Sequence, residues 1–269
     1  MQLPALKWCF ALIVSLSLLT SCRTTDHISV HHDKQQFYTY AGFPEITNYP
    51  NSLLVLLNEG YVAGYDEIRG VPAWVAYRVF KVDDYSTHPR PRRFLVDERS
   101  GNLISHDHYT NSGYDRGHMA PNFAIATRYG REAQLETFLM TNIIPQSPQL
   151  NREWWARVES LIARDYSKSF GEVWVITGPI FKEKGNWINN AVKIPSHNFM
   201  IIKVVVNSEL WMMAFLVPQD IEGNEPLEPY LASVNEVEQL TGLNFNPLLS
   251  PDFADSIEKA IPLMLWHSE

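Results

Sequence analysis

The stretch Asp115-Arg116-Gly117-His118-Met119-Ala120-Pro121-Asn122 contains a proton acceptor, His118, two residues after a phosphate-binding cation, Arg116. A histidine titrates near neutral pH, so His118 can take a proton from water under physiological conditions. Arg116 can bind phosphate with its planar guanidinium, and the glycine between the two lets the backbone approach a neighbour closely. A single histidine is more often structural, so this stretch is informative only together with the residues that follow it.

Oxygen ligands for a hard metal follow in a second cluster, which comprises Thr141-Asn142-Ile143-Ile144-Pro145-Gln146 and Leu150-Asn151-Arg152 and continues to Glu159. An asparagine carbonyl oxygen suits Mg²⁺, which keeps most of its waters and accepts few protein ligands. Apolar residues at helical spacing predict a helix over 151–166. Eight residues, a rise of roughly 12 Å, then separate Asn151 from Glu159. Spacing alone favours a simpler interpretation, in which Asn151 caps the helix and Glu159 is a solvated surface residue.

Strand-like segments precede and follow the helical ones. Aromatic and β-branched composition predicts strands over residues 53–57, 61–65, 73–80, 172–177, 200–206 and 210–217. Helix-forming composition predicts helices over 131–140, 151–166 and 233–240, with Gly242 ending the last one. Strands, then helices, then strands again are typical of a single α+β domain.

The overall composition limits the function classes. The chain has 269 residues, of which 45% are hydrophobic and 19% charged, as in a soluble globular protein. A net charge of −8 argues against a general nucleic-acid coat, which would carry a broad basic face. It does not exclude an enzyme with a small basic cleft, and the densest basic spot is formed by Arg90, Arg92 and Arg93.

The N-terminal segment has the features of an export signal. Residues 9–19 form an apolar core that is too short to span a bilayer. The core ends in Leu19-Thr20-Ser21-Cys22, which resembles the lipobox of bacterial lipoproteins and predicts lipidation of Cys22. The alternative is an ordinary secretory signal cut near Ser21. We therefore expect a signal peptide over 1–21, a lipidated tether and lead-in segment over 22–50, and one domain over 51–269.

The cysteine count agrees with this interpretation. Cys9 would be removed with the signal and Cys22 would carry lipid, so the mature domain is expected to contain no disulfide. His27, His31 and His32 could bind metal, but a solvated tether is the better interpretation of this polar segment.

The first cluster resembles the DRGH-x-AP signature of the DNA/RNA non-specific endonucleases, the large ββα-metal nucleases. Residues 141–152 resemble the second block of that family and residues 155–159 its metal-binding helix, and the likeness extends from Gly60 to about Pro247. The resemblance implies a ββα-metal (His-Me finger) fold with a central, mostly antiparallel sheet flanked by helices. It implies hydrolysis of DNA and RNA phosphodiester bonds with Mg²⁺, which Mn²⁺ can replace.

Carried over residue by residue, the resemblance implies that His118 is the general base that activates water. Asn151 is implied to be the direct protein ligand of Mg²⁺, and Glu159 to act through the water shell of the metal. Arg92, which lies five residues before Asp97, is implied to stabilise the charged phosphate.

Three further residues are implied to support the reaction. Arg116 is implied to assist catalysis and Asn142 to support substrate binding, while Arg93 competes with Arg92 for the phosphate contact. His106-Asp107-His108 lies near the signature, and a His-x-His pair on a strand could bind zinc. The family does not need such a site, so we do not expect a second metal there.

The chain departs from the family pattern at one position. The family often has a second phosphate-binding arginine one helical turn after the metal-helix glutamate, where this chain has Ala163. Arg164 is displaced by about 100° on an α-helix, so it either substitutes imperfectly or the contact is missing. This departure leaves a catalytically silent envelope lipoprotein, which keeps the fold for binding, as the alternative. An enzyme that acts on other phosphodiesters is a third hypothesis.

Lipidation of Cys22 predicts a protein anchored in the bacterial cell envelope, with its domain outside the cytoplasm. Arg23 rather than Asp follows the cysteine, so the usual bacterial sorting pattern favours the outer membrane. Several acyl chains on one cysteine anchor firmly. We expect the wild type to fractionate with membranes and to incorporate labelled fatty acid, and Cys22→Ser to do neither. Soluble, unlabelled wild-type protein would refute the anchor and leave the nuclease prediction intact.

Overall fold

The computed structural model describes residues 37–266. The predicted signal peptide, the lipidation site Cys22 and the three tether histidines therefore lie outside the described residues. The strands in the described range are β1 Glu45–Ile46, β2 Leu54–Leu57, β3 Tyr61–Asp66, β4 Val71–Phe80, β5 Asp115–His118, β6 Ile143–Gln146, β7 Glu172–Ile180, β8 Trp187–Ile188, β9 Val192–Lys193, β10 His197–Val206, β11 Glu209–Pro218, β12 Leu231–Ala232 and β13 Leu243–Asn244.

Besides the helical residues 37–39, three α-helices and one composite helix flank these strands in the described range. The α-helices are Asn122–Glu136, which is broken at Gly130, Val234–Thr241 and Pro251–Glu258. The composite helix alternates π and α turns in the segments Leu150–Trp155, Ala156–Ser160, Leu161–Tyr166 and Ser167–Phe170, and we call it the site helix. Short 3-10 turns occur at His106–Tyr109, Met140–Asn142 and Glu228–Tyr230.

The centre of the fold is a seven-stranded sheet in the order β12-β11-β10-β7-β4-β3-β2. Every neighbouring pair in it is antiparallel. Successive residues of a strand point to opposite faces, so this sheet serves two cores. Val75 and Tyr77 of β4 pack with the site helix, whereas Trp74 and Ala76 pack with the helix Val234–Thr241. Helices on both faces of an antiparallel sheet confirm the α+β prediction.

Residues 37–50, which the composition assigns to the lead-in segment, pack against the sheet. Tyr38 and Ala41 are buried, and the Tyr38 hydroxyl donates to the carbonyl oxygen of Glu59 over 2.5 Å. β1 pairs with β13 near the C-terminus. Within the described range, no helix is both long enough and apolar enough to cross a membrane.

Helix boundaries agree with local sequence signals in one case and differ in another. The helix Val234–Thr241 is capped by the Ser233 side chain and ends at Gly242 in the left-handed conformation, as the sequence predicts. The helix predicted over 131–140 instead occupies Asn122–Glu136. Residues 137–142 beyond it form a turn, a bridge between Leu139 and Leu95 and a 3-10 turn before β6 begins.

Candidate active site

The signature forms one strand of a hairpin that runs directly into the site helix. β5 pairs antiparallel with β6, so that Asp115 faces Gln146 and His118 faces Ile143. Gly117 is required there, because a Cβ at this position would lie 2.1 Å from the Gln146 Oε1 atom. The hairpin followed by the helix is the ββα element that the resemblance implies.

Ser147, and not Asn151, caps the site helix. The Ser147 hydroxyl accepts a hydrogen bond from the Leu150 backbone N–H at 3.3 Å, and the Ser147 carbonyl accepts one from the Asn151 N–H at 2.9 Å. Asn151 therefore lies inside the first turn, and the interpretation of this residue as a helix cap was wrong. Its side chain does not cap the helix and can contact residues outside it.

That side chain is held by Asp115 across the hairpin. The Asn151 Nδ2 atom donates to Asp115 Oδ2 at 2.9 Å. Arg152 donates to both oxygens of the same carboxylate at 2.7 Å. An ionised carboxylate only accepts hydrogen bonds, so the amide nitrogen of Asn151 must face it and the amide oxygen faces away. Asp115 thus presents the Asn151 oxygen as a potential metal ligand.

The carboxyl of Asp115 stays ionised at any physiological pH. Burial opposes its ionisation, but the hydrogen bonds from Arg152 and Asn151 outweigh burial and lower its pKa. Asp115 belongs to the signature, but the sequence alone does not predict a role for it. Its role follows only from the contact with Asn151, which lies 36 residues further along the chain.

The π turns of the site helix change which residues share a face. On a regular α-helix, eight residues would leave Asn151 and Glu159 about 80° apart. A π turn contains more residues, so each residue advances by a smaller angle. The π segment Leu150–Trp155 therefore brings the two oxygen-bearing side chains closer to one face of the helix.

His118 is 7% exposed and packs between two aromatic rings. Its ring centroid lies 5.2 Å from that of Phe94 and 4.8 Å from that of Phe138. Its Nε2 atom has no hydrogen-bond partner among the described residues. Burial, with a smaller contribution from the charge of Arg90, lowers the pKa of His118 to about 3. The imidazole is therefore neutral and can accept a proton, although it is less exposed than a base that faces open water.

Glu159 is partly buried and has no cation paired with it among the described residues. Burial raises the pKa of this carboxyl to about 8, and the charge of Arg90 only partly opposes that shift. A carboxylate in such a place is stabilised by a further positive charge. This donor set, a carboxylate that lacks a cation and an amide oxygen oriented by Asp115, fits a hard divalent metal.

Arg90 is the arginine that the sequence did not select. Its charge acts on both His118 and Glu159, and its guanidinium lies 5.3 Å from the Phe138 ring. Arg92 is exposed, and its phosphate contact stays a prediction. The exposed Arg93 contributes to a lowered pKa of His106, after burial and Arg116.

Arg116 is engaged with the protein rather than free. Its Nε and Nη2 atoms donate to the backbone carbonyl of His106 at 3.3 and 2.6 Å. Its guanidinium lies 5.6 Å from the Tyr109 ring. Residues 106–109 form a 3-10 turn and not a strand, which removes the geometry of the His-x-His zinc hypothesis. Among the described residues, no group of three His, Cys, Asp or Glu side chains could hold a metal ion.

Asn142 is a structural residue, which corrects its assignment to substrate binding. It has no exposed surface. Its Oδ1 atom accepts from the Ala120 N–H at 2.8 Å, and its Nδ2 atom donates to the carbonyls of Ala120 and Thr137 at 3.0 and 2.9 Å. With all its polar atoms used inside the fold, Asn142 holds the segment that follows His118 and cannot also reach substrate.

A model of the DNA/RNA non-specific endonucleases matches residues 43–252. The chain belongs to this family. The match covers most of the chain and contains the hairpin, the site helix and the seven-stranded sheet. The family and the fold class predicted from the signature are therefore confirmed.

Individual relatives and a solved structure agree with the family match. A nuclease of Nostoc sp. is 30% identical over 224 residues, which are 79% of this chain and 80% of that protein. The mitochondrial nuclease EXOG of Homo sapiens is 31% identical over 208 residues, which are 70% of this chain and 56% of that protein. A crystal structure of an EndoG/EndoGI complex matches with a TM-score of 0.69 and 28% identity, over 80% of this chain and 92% of that chain.

Removing the charge of Asp115 tests its role in orienting Asn151. In Asp115→Asn the second amide no longer fixes which way the Asn151 amide points. We expect the half-saturating Mg²⁺ concentration for nucleic-acid cleavage to rise about 10–100-fold, as for other residues that orient a metal ligand. Asp165→Asn, an exposed aspartate on the same helix, is the matched control and should leave the titration unchanged. Equal Mg²⁺ requirements for the two variants would contradict the assigned role.

Proposed function

We propose that this nuclease is a Mg²⁺-dependent, non-specific endonuclease that hydrolyses DNA and RNA phosphodiester bonds. His118 acts as the general base, Asn151 is the direct metal ligand, and Glu159 acts through the water shell of the metal. The observation that carries the proposal is the arrangement of Asn151, whose amide nitrogen is bound by Asp115 so that its oxygen is left for a cation. Mn²⁺ is an alternative ion, because it takes the same oxygen ligands.

His118 supplies the proton-transfer step. A water molecule gives its proton to the neutral imidazole as its oxygen attacks phosphorus in line with the leaving oxygen. The new phosphorus–oxygen bond forms as the bond to the 3′-oxygen breaks, and the leaving 3′-oxygen takes a proton from water, which yields 5′-phosphate and 3′-hydroxyl ends. Arg90 is well placed to bind the phosphate because its charge already acts on both His118 and Glu159. A bound divalent metal would stabilise the negative charge that develops on the phosphate in the transition state.

Little sequence preference follows from this chemistry. Phosphate contacts carry no base information, and the proposed residues all act on the backbone of the substrate. The alternative, a silent envelope protein that binds without cleaving, is motivated by Ala163. The unpartnered Nε2 atom of His118 and the uncompensated carboxylate of Glu159 favour the enzyme. Plasmid digestion with and without EDTA distinguishes the two functions, and a substrate panel tests other phosphodiesters.

We further propose that the enzyme works in the bacterial cell envelope, lipid-anchored through Cys22, with the outer membrane as the expected site. The anchor motif Leu19-Thr20-Ser21-Cys22 supports this proposal. Export would also separate a non-specific nuclease from the chromosome of its own cell.

Replacing the base should abolish most activity without unfolding the protein. We expect His118→Ala to reduce plasmid cleavage by about 10²–10⁴-fold, the usual contribution of a general base. His197→Ala, which alters a partly buried histidine of β10, is the matched control and should retain activity. Near-wild-type cleavage by a folded His118→Ala protein would refute the proposed mechanism.

The pH dependence of metal use should follow Glu159 rather than His118. The ionised carboxylate holds the water shell of the metal, and the pKa of Glu159 is raised to about 8, so protonation below that pH opposes metal binding. We expect the half-saturating Mg²⁺ concentration to rise by up to about tenfold per pH unit below about pH 8. His118, with a pKa of about 3, stays neutral throughout and adds nothing to this change.

Glu159→Gln provides the comparison, because it keeps the shape of the side chain and removes the titration. This variant should need more Mg²⁺ at every pH but show a much flatter dependence on pH. Wild-type and Glu159→Gln profiles of equal steepness would assign the pH dependence to another group.

A further inference from the structure

Tyr114 lines two neighbouring grooves on the surface of the protein. The first has a volume of about 520 Å³ and contains Asp115, Arg116 and Arg152, so it adjoins the candidate metal site. The second has a volume of about 430 Å³ and is lined by Tyr114 and by residues of the turn 182–186, and we call it the lysine groove. A chain that leaves the first groove past Tyr114 therefore enters the second.

The turn 182–186 is a firm wall for the lysine groove. It follows β7 directly, and the Ile194 N–H donates to the Asn186 carbonyl oxygen at 2.9 Å, which closes the turn. The side chain of Lys193 lies beneath it, since a Cβ atom at Gly185 would lie 3.3 Å from the Lys193 Cε atom. The turn thus rests on packed side chains.

Lys193 serves this packing and does not extend into the groove. It is buried, and its ammonium lies 5.5 Å from the centroid of the Phe181 ring and 5.8 Å from that of Trp187. A cation over aromatic faces is stabilised without an anionic partner. Lys193 therefore supports the turn that carries Lys182 and Lys184.

Lys182 and Lys184 present free positive charge to the groove. Both are exposed, and neither ammonium makes a hydrogen bond or an ion pair with any residue in the described part of the chain. The acidic side chain that lines the same groove is the exposed Asp220. Two cations against one anion make this groove locally positive in a chain whose net charge is −8, so it favours an anionic ligand.

Tyr114 adds an aromatic ring to the groove. Its backbone N–H donates to the Ser112 Oγ atom at 3.2 Å, and its carbonyl oxygen accepts from the same hydroxyl at 3.4 Å. The ring is half-buried against the core, so its position is restrained while part of it stays accessible. Grooves that bind single strands of nucleic acid combine cations for the phosphates with rings on which bases stack.

We propose that the lysine groove is a second nucleic-acid subsite, in which Lys182 and Lys184 bind backbone phosphates and Tyr114 stacks against a base. It receives the part of the substrate that extends beyond the scissile phosphate, because Tyr114 also lines the groove that contains Arg116. The subsite has little sequence preference, since every base can stack and phosphates carry no base information. The inference rests on the proposed nuclease function, because its ligand is the nucleic-acid substrate.

Substrate length tests the subsite in the active protein. A dinucleotide contains the scissile phosphate alone, whereas a single strand of about 12 nucleotides is long enough to fill a further site. We expect Lys182→Ala/Lys184→Ala to raise KM for the longer strand about tenfold at physiological salt, because two phosphate contacts are lost. The same variant should cleave the dinucleotide with the KM of the wild type. Equal increases in KM for both substrates would overturn the proposal.

Salt dependence of binding counts the phosphate contacts. In the cleavage-deficient His118→Ala protein, affinity for a fluorescent single strand of about 12 nucleotides is measured over a series of salt concentrations. Adding Lys182→Ala/Lys184→Ala should reduce the magnitude of the slope of log affinity against log salt by about 1.4, or about 0.7 for each contact. Asp220→Asn, which removes the opposing charge, should instead tighten binding.

Two lysines outside the groove provide the matched control. Lys81 and Lys168 are exposed and lie near the start of β7, where the Lys81 N–H donates to the Gly171 carbonyl oxygen, whereas Lys182 follows the end of that strand. Lys81→Ala/Lys168→Ala removes the same charge and should keep the parental slope. A parental slope in the Lys182/Lys184 variant, or equal decreases in both double variants, would refute the phosphate contacts.

The stacking contact has its own test. Tyr114→Phe keeps the ring and should bind the longer strand like the parental protein, whereas Tyr114→Leu should bind it roughly 5–100-fold more weakly. Neither change should alter the half-saturating Mg²⁺ concentration for dinucleotide cleavage, because the ring does not hold Asn151. A raised Mg²⁺ requirement in Tyr114→Leu would assign Tyr114 a role in the hairpin and refute the stacking contact.

The outcomes separate this inference from the proposed function. Wild-type protein that cleaves plasmid, together with an unchanged slope in the Lys182/Lys184 variant, would refute only the subsite. Wild-type protein that does not cleave, together with the expected decrease in slope, would refute the enzyme and leave the lysine groove as the site of a binding protein.

Discussion

The contact between Asp115 and Asn151 is the constraint on which the site depends. It joins the first strand of the hairpin to the first turn of the site helix, and Arg152 binds the same carboxylate. Because an ionised carboxylate can only accept, this contact alone decides which end of the Asn151 amide is exposed. Ser147 makes the arrangement possible, since it takes over the capping role that would otherwise engage Asn151.

The site helix carries both Asn151, which this contact orients, and Glu159. The π segment Leu150–Trp155 changes the angular position of Asn151 relative to Glu159, which lies in the following α segment Ala156–Ser160. π turns are rare and occur frequently at functional sites. Here the unusual turns are supported by packing, since Trp154, Val158 and Ile162 are buried in the core that lies on β4. The apolar stripe thus holds the backbone in a form that serves the polar face.

Sequence reasoning identified what depends on local composition. The central strands have aromatic and β-branched runs, and the helix Val234–Thr241 carries its own cap and stop signals. Roles that depend on distant contacts were not accessible: the chain alone could not show that Asn142 is enclosed or that Asp115 meets Asn151. The sequence also left open the choice between Arg92 and Arg93, because an irregular segment has no periodicity that fixes which side chain faces the site.

Burial has opposite consequences for the two titratable groups of the site. Desolvation favours the neutral form of each, which lowers the pKa of His118 to about 3 and raises that of Glu159 to about 8. The neutral histidine is already the form that accepts a proton. A neutral carboxyl accepts the hydrogen bonds of metal-bound waters poorly, so Glu159 supports the metal only when a nearby cation stabilises its charge. Desolvation thus keeps His118 neutral over the physiological pH range. The same effect leaves the ionised form of Glu159 dependent on the positive charge of a nearby metal.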